Sequence, residues 1–233
     1  MLITNGNAMM GTVFDDAGEA AMRLNIGDSL TFGSFVPSVD SFGVPVCFPM
    51  LWHVIDKQGC RLKLLSYFFF EHTGFWTVGG SSEDVTWENS EIRYNLNNKY
   101  FLECFSETER NAILTTEVTT EARDSSLTKT CDKLFVPSLK DIENIPEHLK
   151  IGRCLYPYRL GNETPKVDLL YCFYWLRDPG DYEDTNLVVQ GYANSRLVLD
   201  SLDYDADEVG VRAVMWIDAE KIKERNPGAK RRR

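Results

Sequence analysis

The sequence predicts an α+β domain in which two helices flank a small, mostly antiparallel sheet, followed by a long irregular C-terminal half. Three observations carry that expectation: a hairpin-like pair of apolar runs, two consecutive helix-capping signatures, and a string of short strand-like segments near the end. The hairpin comes from Val46–Ile55 and Arg61–Phe70, both rich in β-branched and aromatic residues. Between them, Asp56-Lys-Gln-Gly59 places a glycine where a tight turn needs positive φ. Before them, Ile26-Gly-Asp-Ser-Leu-Thr-Phe-Gly33 alternates apolar and polar residues between glycines, which predicts a strand.

The helices follow. Asn89 or Ser90 can cap the first, and Ile92, Leu96 and Tyr100 then recur at steps of four, predicting one buried face. Ser106-Glu-Thr-Glu109 has the spacing of a capping box and opens a second helix running to about Leu114. Thr115–Thr130 is polar and predicts an exposed loop. Leu134-Phe-Val-Pro137 reads as a short strand, and Ser138-Leu-Lys-Asp141 caps a short helix ended near Pro146. Leu187–Val189, Arg196–Leu199 and Val211–Ile217 read as short strands joined by polar loops. The tail ending in Lys230-Arg-Arg-Arg233 is expected to fray. The division expected is an N-terminal extension over 1–24, one domain over 25–218 and a polar basic tail over 219–233.

Composition narrows the function. The 233 residues are 43% hydrophobic and 26% charged, ordinary values for a globular chain large enough to bury a core without staples. The net charge of −10 opposes a phosphate-tracking surface, so nucleic acid is not expected as the main ligand. No run is long and apolar enough for membrane insertion, and no secretory signal opens the chain, so a cytoplasmic location is expected. The six cysteines, Cys47, Cys60, Cys104, Cys131, Cys154 and Cys172, form no C-x-x-C pair, which argues against zinc and favours reduced thiols.

Four motif blocks occur in order: Thr86-Trp-Glu-Asn-Ser-Glu-Ile-Arg-Tyr-Asn-Leu-Asn97, Phe105-Ser-Glu-Thr-Glu109, Tyr174-Trp-Leu-Arg-Asp-Pro-Gly180 and Gly210-Val-Arg-Ala-Val-Met-Trp216. This order resembles a family of uncharacterised bacterial and phage domains with the patterns W-x-x-S-x-x-R-x-x-L-N, F-S-x-x-E, W-W-L-R-S-P-G and G-V-R-P-A-L-W. The resemblance extends over roughly 25–218 and implies a C-type-lectin-like fold, akin to formylglycine-generating enzymes and to the variable proteins of diversity-generating retroelements. Tyr174, Asp178 and Ala213 depart from those patterns.

The candidate site residues divide between ordinary packing and ligand contact. Trp52, Trp87, Trp175 and Trp216 suit the core. Arg93 and Arg212, flanked by apolar residues, are expected to find carboxylate or carbonyl partners and to tie loops down. Asp200, Asp203, Asp205, Asp207 and Glu208 crowd one segment. An EF-hand fails there because Glu208 stands where glycine is required and Val214 where glutamate is, so no Ca²⁺, other metal or cofactor is expected. No cysteine pair supports formylglycine-type chemistry, and His53, Glu71 and His72 form the one titratable cluster for an enzyme reading.

The remaining signal lies in Asp178–Asp207, rich in Tyr, Asn, Ser and Asp, residue types that recognition surfaces favour. They are also the products expected when the adenines of asparagine codons are randomised, as the resemblance to retroelement variable proteins implies. The expectation is a non-catalytic binding module using Tyr182, Asp184, Asn186, Tyr192, Asn194, Arg196, Asp203 and Tyr204. These tyrosines should be exposed above buried Trp175, Leu176, Val211 and Trp216, facing a protein or glycan partner. The alternatives are an enzyme of unknown reaction and a structural component of a phage or other assembly.

Overall fold

The computed structural model describes residues 2–5, 8–13, 21–39, 45–81, 85–122, 124–152, 171–181, 185–192, 197–204, 206 and 209–225. In chain order, strands β1 (Leu2–Asn5), β2 (Ala8–Val13), β3 (Ser29–Val39), β4 (Pro45–Gln58) and β5 (Arg61–Ser66) precede the helices. Helix α1 (Glu91–Asn95) runs through a π turn (Leu96–Tyr100) into α2 (Phe101–Cys104), and α3 (Glu107–Ala112) follows. Next come β6 (Thr116–Glu121), β7 (Leu127–Asp132), α4 (Leu139–Glu143) and α5 (Glu147–Lys150). Strands β8 (Tyr171–Pro179), β9 (Thr185–Tyr192), β10 (Leu197–Asp203) and β11 (Val214–Asp218) and a 3₁₀ helix (Ala219–Arg225) complete the set.

The strands form three antiparallel sheets: six strands in the order β11-β5-β4-β3-β1-β2, three as β10-β9-β8, and the hairpin β6-β7. This corrects the α+β, C-type-lectin-like expectation with two flanking helices. Among the described residues strand clearly predominates over helix. Two physical causes account for the difference. Thr116–Glu121 and Leu127–Asp132, expected as loop, alternate buried and exposed residues and pair as a hairpin, because threonine suits a half-buried pleated surface. The C-terminal half expected to be irregular is instead largely the three-stranded sheet, with Val188 and Val189 buried. The short strand expected at Leu134–Pro137 is a single bridge, Phe135 to Val214.

The local expectations for the hairpin and the helix face fare better. Strands β4 and β5 are joined at Gly59, whose φ of +61° supplies the left-handed turn residue. Ser90 caps α1 by accepting from the Arg93 N–H, and Ile92, Leu96 and Tyr100 are all buried. Ser106 and Glu109 form the capping box of α3, and Ser138 and Asp141 form that of α4. Glu109 also reaches sideways: its Oε1 accepts from the Gly33 N–H at 3.2 Å. Gly33 lies where the β3–β4 register slips, at φ +76°, and a Cβ there would stand 2.7 Å from the Phe105 ring. The core packs between the six-stranded sheet and this helical layer. Trp52 is its centre, with its indole N–H donating to the Phe32 carbonyl at 2.8 Å and its ring against Phe70 and Phe105.

Candidate functional site

A cleft of about 550 Å³ opens where the β6–β7 hairpin faces the end of the three-stranded sheet. The turn end of the hairpin forms one wall: Thr120 and its cross-strand partner Thr128 share a face, and Glu121, Asp124 and Ser126 line the cleft around the turn. The turn closes through the Ala122 N–H donating to the Ser126 carbonyl and through Ser125 at φ +63°. Hydrogen bonds from Ser126 hold the exposed Asp124 carboxyl below the usual carboxylate range.

Asp132, at the end of β7 and 1% exposed, locks this hairpin to the rest. Its carboxylate accepts from the Trp87 indole N–H at 3.0 Å, the Arg93 Nε–H at 2.8 Å and the Thr130 hydroxyl. Trp87 is thereby fixed, and with Val85 and Thr86 it lines the cleft. Thr86 donates its N–H and its hydroxyl to Asn89 Oδ1.

The opposite wall is Arg177 and Pro179 from β8, Asn186 from β9 and Tyr204 just past β10. Arg177 lies over the Phe135 ring, and its Nη1 donates to the Val136 carbonyl at 2.8 Å and to Asp141 at 3.0 Å. Burial works to raise the Asp141 carboxyl, but Arg177 and Lys63 prevail and hold it low. Two buried polar atoms of lining residues, Arg177 Nε and Thr120 Oγ1, have no hydrogen-bond partner among the described residues. A buried polar atom left in that state costs free energy that a partner could recover.

The expected binding residues divide. Asn186 and Tyr204 do meet in this cleft, but as walls: they are 5% and 8% exposed. Tyr204, expected to be exposed, is covered because its ring packs on Phe75, its carbonyl accepts from the Phe75 N–H, and its hydroxyl points to the Val85 carbonyl. Asp203 is exposed and does not line the cleft. Tyr192 lies on β9, with its side chain outside the described residues, as are Tyr182, Asp184, Asn194 and Arg196 altogether. Trp175, Leu176 and Val211 are buried as expected, and Trp216 is half-buried. Thr120, Thr128, Glu121, Trp87 and Arg177 were not singled out as ligand contacts; the alternation Val118-x-Thr120 was the available signal.

The titratable cluster considered for an enzyme lies elsewhere. His53 shares a hydrogen bond at Nδ1 with the Ser29 hydroxyl, 2.7 Å away, while its buried Nε2 has no partner among the described residues. Burial, with Arg212 and His148 adding to it, pulls its pKa down to about 4. Glu71 accepts from the Tyr100 hydroxyl at 2.8 Å, and burial raises its carboxyl. Burial likewise lowers His72, which bridges to Gly210. None of the three lines the cleft. Among the described residues, Cys60, Asp218 and Glu220 bring potential metal-ligand atoms within 4.8 Å of one another, and Cys60, Cys104 and Cys131 are free thiols. Asp200 and Asp203 of the acidic segment are exposed; Asp205, Asp207 and Glu208 lie outside the described residues. Arg93 and Arg212 hold structure together, Arg93 through Asp132 and Arg212 by donating to the carbonyls of Ser66, Leu149 and Lys150. Among the described residues no helix is long and apolar enough to cross a membrane.

Fold and site together define a mostly antiparallel β domain with a cleft of small-ligand size set between two of its sheets. Residues 63–219 match the family described as a domain of unknown function, DUF6273, and the chain belongs to that family. No curated protein and no solved structure matches the chain. The matched region starts on β5 and ends just past β11, and these two strands are neighbours: Lys63 is opposite Trp216, and Leu62 opposite Ile217. Strands β3 and β4, which supply Leu30, Phe32 and Trp52 to the core, lie outside the match but in the same sheet.

Proposed function

We propose that the chain is a non-catalytic ligand-binding module whose site is the cleft between the β6–β7 hairpin and the end of β8–β10. The observation that carries this reading is the cleft's size and lining. A volume of about 550 Å³ falls within the range of small-molecule pockets, and its walls mix apolar surface with a few convergent polar groups. The described lining residues include no histidine or cysteine.

The test is thermal unfolding with a panel of small polar solutes, comparing the wild type with Ala122→Trp, which fills the mouth. A ligand at a hundred times its Kd adds about 2.7 kcal/mol of stability, which is about 5–10 °C for a chain of this size. A shift seen in the wild type and lost in Ala122→Trp supports the site. Shifts in neither protein, or equal shifts in both, remove it.

A further inference from the structure

We propose that Cys60, Asp218 and Glu220 form a site for a divalent transition metal of the zinc class at the β5–β11 end of the six-stranded sheet. The site shares no residue with the cleft, so the inference stands apart from the reading of the cleft as a ligand site.

The fold brings together three donors that the sequence keeps more than 150 positions apart, which is why no metal-binding spacing shows in the chain itself. Cys60 follows Gly59 in the β4–β5 turn, and Asp218 ends β11 opposite Arg61. The Ala219 N–H donates to the Cys60 carbonyl at 2.9 Å, tying the start of the 3₁₀ helix Ala219–Arg225 to that turn. Strand pairing and this bond fix the approach of the donors through the backbone alone.

The donor set then selects the ion. One sulfur and two carboxylates have their ligand atoms within 4.8 Å of one another. Zinc bonds of about 2.3 Å to sulfur and about 2.0–2.2 Å to oxygen place tetrahedral donors about 3.5 Å apart. A contraction of about 1 Å reaches that spacing, and side-chain rotation can supply it, since Glu220 is exposed and Cys60 and Asp218 are half-buried. Calcium and magnesium take oxygen ligands, whereas a thiolate favours zinc and its softer relatives. Three protein ligands leave a fourth tetrahedral position for water.

Charge points the same way. Arg61 and Lys221 are sequence neighbours of the donors, yet among the described residues no ion pair joins either of them to Asp218 or Glu220. Two carboxylates held this close repel each other unless a positive charge stands between them. A divalent ion answers both at once and takes the thiolate as well.

The experiment is titration of the chelator-treated full chain with Co²⁺, followed by competition with Zn²⁺ and, separately, with Ca²⁺. Bound Co²⁺ is expected to show tetrahedral visible bands and a sulfur-to-cobalt charge-transfer band, which Zn²⁺ abolishes and Ca²⁺ leaves in place. Cys60→Ser should remove the charge-transfer band and weaken Zn²⁺ at least about tenfold. Glu220→Gln, a change at an exposed position, should cost about tenfold, and adding Asp218→Asn should cost more. Cys131→Ser, which removes an exposed thiol outside the triad, should leave affinity unchanged. Zn²⁺ should also slow hydrogen exchange in the β4–β5 turn and in Ala219–Arg225.

A charge-transfer band that survives Cys60→Ser, or that Cys131→Ser removes, puts the metal on another thiol and overturns the site. Unchanged affinity in Asp218→Asn with Glu220→Gln reduces it to a single cysteine, and Ca²⁺ that displaces Co²⁺ reduces it to a pair of carboxylates; either result overturns it. So does a wild type that binds neither Co²⁺ nor Zn²⁺.

Discussion

The six-stranded sheet and the cleft region are stabilised by different means. Around Trp52 the sheet and helices bury large side chains almost continuously, with Leu30, Leu62, Leu64, Leu65, Ile92 and Leu96 all at 0% exposure. Around the cleft, order depends on two buried carboxylates. Asp132 gathers Trp87, Arg93 and Thr130, and Asp141 gathers Lys63, Arg177 and the N-terminus of α4. Apolar packing tolerates rearrangement within a given volume, whereas a polar hub fails when one member is lost, because its partners are left buried and unanswered. The sheet therefore provides most of the stability, and the hubs hold the cleft walls at a defined separation.

The largest break should come at the packed centre. Trp52→Ala is expected to cost about 3–5 kcal/mol, read as a lower midpoint in denaturant with the hydrogen-bond hubs untouched. Slightly smaller is the pH response of His53, whose folded pKa of about 4 lies below its ordinary value of 6.5. The unfolded chain takes up a proton first as pH falls. Stability is thus full above pH 6.5, drains away between 6.5 and 4, and totals about 3 kcal/mol at most. His53→Gln should flatten that portion of the stability–pH curve, and an unchanged slope would show that the histidine is not held neutral.

Asp132→Ala should cost about 2–3 kcal/mol, because Arg93 is partly exposed and water can answer some of what is lost. The sharper readout is local. Hydrogen exchange should accelerate in β6 and β7 while β4 and β5 stay protected; uniform acceleration would erase the distinction between the two regions. The smallest effect belongs to the cap of α3. Ser106→Ala removes its capping box at a cost of about 1 kcal/mol, and through Glu109 it should also loosen the Gly33 bulge.

Short-range chemistry was legible in the sequence and long-range pairing was not. Gly59, Ser90, Ser106 and Ser138 each announce a turn or cap through neighbours a few residues away, and each does in the structure what those neighbours require. The β6–β7 hairpin was missed because its buried face is carried largely by threonine, with Val118 the lone strongly apolar member of β6, so a polar composition concealed a period of two. Tyr204 was misjudged for a related reason. Flanked by Asp203 and Asp205, it reads as a surface residue, and what buries it is Phe75, more than a hundred positions away. Asn186 and Tyr204 were singled out for their residue type, which placed them at the cleft without disclosing that they serve as its walls. Thr120 and Arg177 could not be found that way, since what marks them, a buried Oγ1 and a buried Nε without a hydrogen-bond partner among the described residues, exists only in the folded chain.

The pairing of β5 with β11 has a consequence for how the chain is made. Leu62, Leu64 and Leu65 on β5 are covered along one edge by a strand about 150 residues further on. At a synthesis rate of about 5–20 residues per second, that edge waits about 8–30 s for its neighbour. During the interval the nascent chain offers an unpaired, leucine-rich strand that any passing β segment could occupy, which is the usual route to aggregation. Expression at lower temperature or with a holdase chaperone should therefore raise the soluble yield more than any change to the cleft, and charged substitutions within Val214–Asp218 should reduce yield in cells more than their effect on the finished protein's stability would suggest.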